Sequence, residues 1–211
     1  MELLHEYQLV VRIVKFHLET PILERQARKL KVGDIVYISG LLVTARDAAH
    51  RRIIQHLKEG RSLPFSLDGL PLFHCGPLVR KVNDEWKVLT AGPTTSMRME
   101  LFEDEIIKSL NVRLIIGKGG MGEKTRRALM EFGAAYGVFT GGAGVLAAGR
   151  IKKVKNVEWL DLGIPEAVWV FEVGSFGPII ISIDSYGNSL FDMVQYEAKK
   201  RMEEIVKNFK S

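Results

Sequence analysis

Short β-branched runs bounded by glycine alternate along this chain with stretches whose apolar residues fall three and four apart. The first pattern reads as strands and the second as helices. "YQLVVRIVKF" (7–16) and "GDIVYISGLLV" (33–43) are expected strands. "TARDAAHRRIIQHLKEG" (44–60) is an expected helix, with Thr44 and Asp47 resembling a capping box and Gly60 as its stop. "LPFSLDGLPLFHCGP" (63–77) is loop-rich with short extended pieces. "EWKVLTAG" (85–92) is a strand that runs into a helix ending near Leu110, which Thr94, Thr95 or Ser96 can cap. "NVRLIIG" (111–117) reads as a buried strand, and "EKTRRALMEFG" (123–133) as a helix closed by Gly133. "YGVFTGGAGVLAAG" (136–149) is small and glycine-rich, and "AVWVFEVGSFGPIIISID" (167–184) reads as a strand pair around a turn. The tail carries Leu190, Met193, Val194, Ala198, Met202, Ile205 and Phe209 on one helical stripe, expected to serve core packing or a partner contact. The pattern predicts an α/β fold with a mixed sheet flanked by helices.

Composition narrows this picture. The chain has 211 residues, a length that suits one domain spanning 1–211. A 46% hydrophobic and 26% charged content supports a core that needs no covalent staples. The single cysteine, Cys75, excludes a disulfide framework and any metal site built from thiolates of this chain alone. A reducing cytoplasm is the simplest setting. "MELLHEYQ" has neither a basic n-region nor an apolar h-region, and no window approaches the ~18 apolar residues of a span. Neither a signal peptide nor a membrane partner is expected. The net charge of +5 permits nucleic acid but equally suits small anions. The densest basic patch, "RIKKVK" (150–155), lacks flanking aromatics and reads as a solvated face, so no nucleic-acid partner is expected.

The stretch "LIIGKGGMGEKTRRAL" (114–129) is the first to suggest chemistry. Gly117-x-Gly119-x-x-Gly122 scans as a dinucleotide fingerprint, but no acid follows at the distance a ribose needs. The P-loop alternative fails on register, because Glu123 stands where its lysine belongs. What survives is a glycine turn exposing backbone N–H groups at a helix N-terminus, with Lys118 beside it: an anion site. Two companions share its plan of strand end, short loop and helix start. "TARDAAH" brings Arg46, Asp47 and His50, with Arg46 and His50 on one helical face. "AGPTTSMRM" brings three hydroxyls, Thr94, Thr95 and Ser96, with Arg98 four residues after Thr94. Ligands of α/β sheets collect at the carboxyl ends of strands, so Arg46, Thr94, Arg98 and Lys118 are expected to converge. Arginine forks match carboxylates in bidentate fashion, and a small dicarboxylate would use the whole set.

"GDIVYISGLLVTARDAAHRRI", "FHCGP", "AGPTTSMRM" and "IGKGGMG", in this order, resemble the β subunit or C-terminal half of class I fumarases, a pattern shared by L(+)-tartrate dehydratases. The resemblance covers essentially the whole chain. It implies an iron–sulfur hydro-lyase whose 4Fe-4S cluster sits on three cysteines of a partner α subunit, with one iron open to substrate. It implies that this chain is a swivelling β/β/α domain closing over that cluster, active only with its partner, with α2β2 the assembly the family suggests. Fumarate hydration to (S)-malate is the expected reaction, with tartrate or mesaconate as alternatives and a nucleotide-binding module as a remote one. The resemblance assigns substrate binding to Arg46, Arg98 and Lys118, with Thr95 and Gly119 beside them. It assigns catalysis to Thr94 and Lys118, with Asp47 and His50 in possible support.

Overall fold

The computed structural model of the protein describes residues 13–210, with side chains as far as residue 207. Residues 7–12 of the first expected strand and the Phe209 side chain lie outside that description. The described part of that strand is β1 (Lys15–Glu19), followed by the one-turn helix α1 (Glu24–Ala27). Then come β2 (Ile35–Thr44), α2 (Asp47–Lys58), β3 (Leu72–Phe73), and the hairpin β4 (Leu78–Val82) and β5 (Glu85–Thr90). A 3-10 turn (Ser96–Met99) leads into α3 (Glu103–Leu110), β6 (Leu114–Gly117), α4 (Glu123–Phe132) and β7 (Ala135–Phe139). The chain finishes with α5 (Gly144–Ala148), β8 (Ile151–Glu158), β9 (Val168–Ile183) and α6 (Leu190–Lys210).

The main sheet is mixed, as the sequence pattern predicts. β1, β2, β3, β6 and β7 run parallel in that spatial order. β9 runs antiparallel to β7, β8 and β2. Because β9 pairs with both β7 and β2, the strands β2, β3, β6, β7 and β9 close into a ring. Alternation then sorts the side chains. Val36, Ile38, Leu42, Leu114, Ile116, Trp169, Phe171 and Val173 face one core cluster, filled further by Phe73, Phe139 and Phe176. Their neighbours Val43, Ile115, Val168 and Val170 face outward and pack beneath Ile53, Ile106, Ile107 and Leu129 of α2, α3 and α4. The result is a closed sheet with α2, α3 and α4 packed on its outer face.

Several local expectations are corrected. β9 is one strand of 16 residues rather than a strand pair. It bends at Ser175 (φ 47°) and Gly177 (φ 159°), where an added Cβ would stand 2.7 Å from the Val36 carbonyl oxygen. Thr44 does not cap α2. It ends β2, and its hydroxyl accepts the Trp169 N–H at 3.2 Å. The expected helix through 94–110 is broken into the 3-10 turn and α3, although it ends at Leu110 as expected, on Asn111 in the left-handed region. Gly60 and Gly133 have positive φ, as their stop positions require. The tail stripe does not pack into this chain's core, since Val194, Met202 and Ile205 are exposed. Among the described residues no helix is long and apolar enough to cross a membrane.

Candidate active site

β2, β3 and β6 are parallel neighbours, so their carboxyl ends lie side by side. Arg46 follows β2 at the N-cap position of α2, and Asp47 opens that helix. His74, Cys75 and Gly76 follow β3. Lys118 and Gly119 follow β6. The 93–99 segment threads between them. Pro93 bridges Cys75, the Thr94 N–H donates to the His74 carbonyl at 2.7 Å, and Thr95 bridges Lys118. Arg46, Asp47, Thr94, Thr95, Arg98, Lys118 and Gly119 are thereby gathered at one rim. His50, on the same face of α2 as Arg46, lies fully buried beneath it.

Two of the three expected cations are already paired, which corrects the picture of a bare cationic pocket. The Arg98 guanidinium donates through Nε and Nη2 to both oxygens of Asp47, at 3.0 and 2.5 Å. Its Nη1 points toward the Thr94 hydroxyl at 3.5 Å. Arg46 Nη2 lies 3.3 Å from Glu166, whose other oxygen accepts the Ala48 N–H at 2.9 Å. Arg46 Nε is buried and has no acceptor among the described residues. Gly76 lets that side chain pass, because a Cβ there would stand 2.7 Å from its guanidinium. Lys118 is exposed and makes no ion pair among the described residues.

The helix N-terminus behind the glycine turn is also occupied. Glu100 reaches across and accepts the N–H groups of Gly122, Lys124 and Thr125 at 2.7, 3.0 and 3.3 Å, and the Thr125 hydroxyl at 2.6 Å. The anion expected at α4 is therefore an internal carboxylate. The glycine pattern follows from packing. A Cβ on Gly117 would overlap the Ser96 hydroxyl, one on Gly122 would overlap the Glu100 carboxylate, and Gly119 has φ +77° with open space around it.

Below the rim runs a fully buried polar chain of His50, His74, Ser96 and Glu103. Glu103 Oε1 lies 2.8 Å from His50 Nε2 and 2.5 Å from His74 Nε2. Burial alone would push the Glu103 carboxyl up, but the His74 and His50 rings overcome it and hold the group down at about 2. Burial pushes the His74 ring below its ordinary value, against the pull of Glu103. Burial also pushes the Cys75 thiol up. It sits in the ring-side core as a protonated apolar group, unsuited to ligating iron. Among these residues sequence reasoning singled out only His50 and Ser96. Glu100, Glu103, His74 and Glu166 went unmarked. His74 was visible inside "FHCGP", but nothing in the sequence pairs it with Glu103.

Known proteins share this sequence over most of its length. The family profile "Fumarase C-terminus" matches residues 4–194. The chain is 47% identical over 173 residues to the L(+)-tartrate dehydratase subunit beta of Escherichia coli (strain K12), covering 82% of this chain and 85% of that one. It is 45% identical over 184 residues to a "Putative L(+)-tartrate dehydratase subunit beta" of Methanocaldococcus jannaschii, covering 87% and 94%. Against a "Putative fumarate hydratase class I" of Geobacillus stearothermophilus it is 41% identical over 188 residues, 89% of this chain but 35% of that protein. A domain profile that spans most of the chain, with relatives this similar over most of their own length, makes the chain a member of the fumarase C-terminus family, which includes hydro-lyase β subunits.

Proposed function

We propose that this chain is the β subunit of a two-subunit hydro-lyase that reversibly hydrates fumarate to (S)-malate. One observation carries the reading: Arg46, Thr94, Arg98 and Lys118 gather at the carboxyl ends of neighbouring parallel strands, with Arg46 Nε buried and lacking an acceptor among the described residues. A carboxylate supplies that acceptor, and a second one can take the Arg98 fork from Asp47 or lie against Lys118. The chain's single cysteine is buried and protonated, so its donors do not fit a 4Fe-4S cluster. The cluster is assigned to the partner α subunit, with α2β2 the proposed assembly and a swivel of this chain the proposed route of closure.

The role of this chain then follows from charge. Removing the proton next to a carboxylate throws negative charge onto that carboxylate's oxygens. Guanidinium and ammonium groups already aimed there stabilise it without reorganising. An alcohol is a weak base, so Thr94 needs a cation nearby to lower the cost of losing its proton, and Arg98 Nη1 is that neighbour. L(+)-tartrate is the second reading, favoured by the names of two of the relatives. The carboxylate set serves both substrates. The test is co-purification with the cluster-bearing subunit, followed by side-by-side assays of fumarate, (S)-malate, L(+)-tartrate and mesaconate. Hydration of fumarate by this chain alone, or inactivity of the reconstituted pair on the whole panel, overturns the proposal.

A further inference from the structure

His50, His74, Ser96 and Glu103 touch no solvent, yet they connect every segment of the rim. Every ring nitrogen of the two histidines has a polar partner. His50 Nδ1 faces the Arg46 carbonyl at 2.8 Å, and a carbonyl only accepts, so Nδ1 donates. His50 Nε2 meets Glu103 Oε1 at 2.8 Å. His74 Nε2 meets the same oxygen, and its Nδ1 pairs with the Ser96 hydroxyl at 2.9 Å. The Ser96 oxygen in turn accepts the Lys118 N–H at 3.2 Å. The chain of bonds runs unbroken from the backbone of Arg46 to the backbone of Lys118. The Thr94 N–H hangs from the His74 carbonyl along the way.

Stability does not account for this arrangement. Replacing a buried ion pair with apolar residues of similar size is often neutral or stabilising, and Glu103 Oε2 remains buried without a partner among the described residues. Nor does the spacing fit a bound metal. His50, His74 and Glu103 bring three ligand atoms together, but a tetrahedral zinc holds its ligand atoms about 3.3 Å apart, and here they are 2.8 and 2.5 Å apart. We infer that Glu103 is a positioning residue, which through His50 and His74 sets the spacing of Arg46, Thr94 and Lys118. This rests on the hydro-lyase reading above. Glu103 sits on α3, an element that contributes no residue to the rim, so it can fix the three rim segments relative to one another without meeting substrate.

The test uses the reconstituted two-subunit enzyme with Glu103→Gln, His50→Gln and the double variant. Glu103→Gln is expected to lower kcat/KM by roughly 10–100-fold in fully folded protein, as a misplacement of about 1 Å does. The double variant is expected to be no worse than the poorer single one, because both changes break the same chain. Unchanged kcat/KM in the folded single variants, or losses that multiply in the double one, overturn the proposal. A second measurement, by NMR, needs no substrate. In the full-length chain with nitrogen-15-labelled histidine, Glu103→Gln should shift the ring-nitrogen signals of both His50 and His74, the two rings that share Glu103 Oε1. Ring signals that Glu103→Gln leaves unmoved, or one equivalent of tightly bound metal by elemental analysis, overturn the network itself. If the wild-type pair is inactive on every dicarboxylate, the hydro-lyase reading fails while the NMR result still decides the network.

Discussion

Glu100→Ala removes the carboxylate that closes the N-terminus of α4. In the wild-type chain that group accepts three backbone N–H groups and one hydroxyl. Losing a side-chain cap costs about 1–2 kcal/mol. Losing the negative charge from the positive end of the helix costs a further ~0.5–1 kcal/mol. The donors of Gly122 and Thr125 are partly buried, so water replaces the carboxylate incompletely. The sum is about 1.5–3 kcal/mol, and in a chain of this length each 1 kcal/mol moves Tm by about 2–4 °C. Thermal unfolding followed by circular dichroism should therefore show a drop of about 3–12 °C. Glu100→Gln keeps one acceptor oxygen but sets an NH2 donor against the partners of the other, so its Tm should fall between wild type and Glu100→Ala. The emptied helix end becomes an anion site, and sulfate should restore more stability to Glu100→Ala than it adds to wild type. A Tm within about 2 °C of wild type, with no extra response to sulfate, refutes the conclusion that Glu100 is the anion closing this helix end.

The rim gives the remaining predictions. In the reconstituted enzyme, Arg98→Ala and Lys118→Ala should each cost roughly 2–4 kcal/mol of transition-state stabilisation, read from kcat/KM. Asp47→Asn leaves the Arg98 fork in place but unaimed, and should cost ~10-fold or less in the same assay. Folding stability should fall with acid in two stages. The His74 ring is held below 6.5 by burial, so the unfolded chain takes up a proton that the folded one refuses, and stability drops as pH falls through 6.5. The Glu103 carboxyl lies at about 2 against an ordinary 4.5, so a further contribution is full above 4.5 and is lost as pH falls toward 2. Urea midpoints measured across this range should show a weaker loss just below 6.5 in His74→Asn. Cys75→Ala should leave the iron content and turnover of the assembled enzyme unchanged, and lost iron would place a ligand in this chain.

The legible parts of the sequence were those governed by neighbouring residues. Strand runs, glycine stops at Gly60 and Gly133, and the strand–loop–helix plan of the three motifs all depend on spacing along the chain. The rim residues could be gathered on paper because parallel strands place their ends together. What was hidden is set by residues far apart in sequence. Glu100 occupies the α4 N-terminus from 22 residues away, so a loop that looks like a ligand site in sequence is already filled. Glu166 reaches Arg46 from a distant loop beyond β8, and Glu103 meets His50 across 53 residues. A carboxylate in "MELFEDE" looks like any solvated charge until the fold buries it. β9 was misread because its glycine and proline normally punctuate a strand. Pairing with β2 on one edge, and with β8 and then β7 on the other, carries the strand through its bend.

Ring closure has a consequence for synthesis. β2 emerges from the ribosome early, but the partner that completes its second edge is β9, whose residues 169–180 pair back to residues 35–44. Such distant pairing forms late, after the entropy of a long intervening loop has been overcome. Until then β2 lacks the neighbour on its second edge, and the ring that carries the loops after β2, β3 and β6 stays open. A nascent chain ending before β9 should leave the β2 edge unpaired beside Arg46. Docking of the proposed partner subunit on this rim would then await β9, and the fold itself would act as the timing signal.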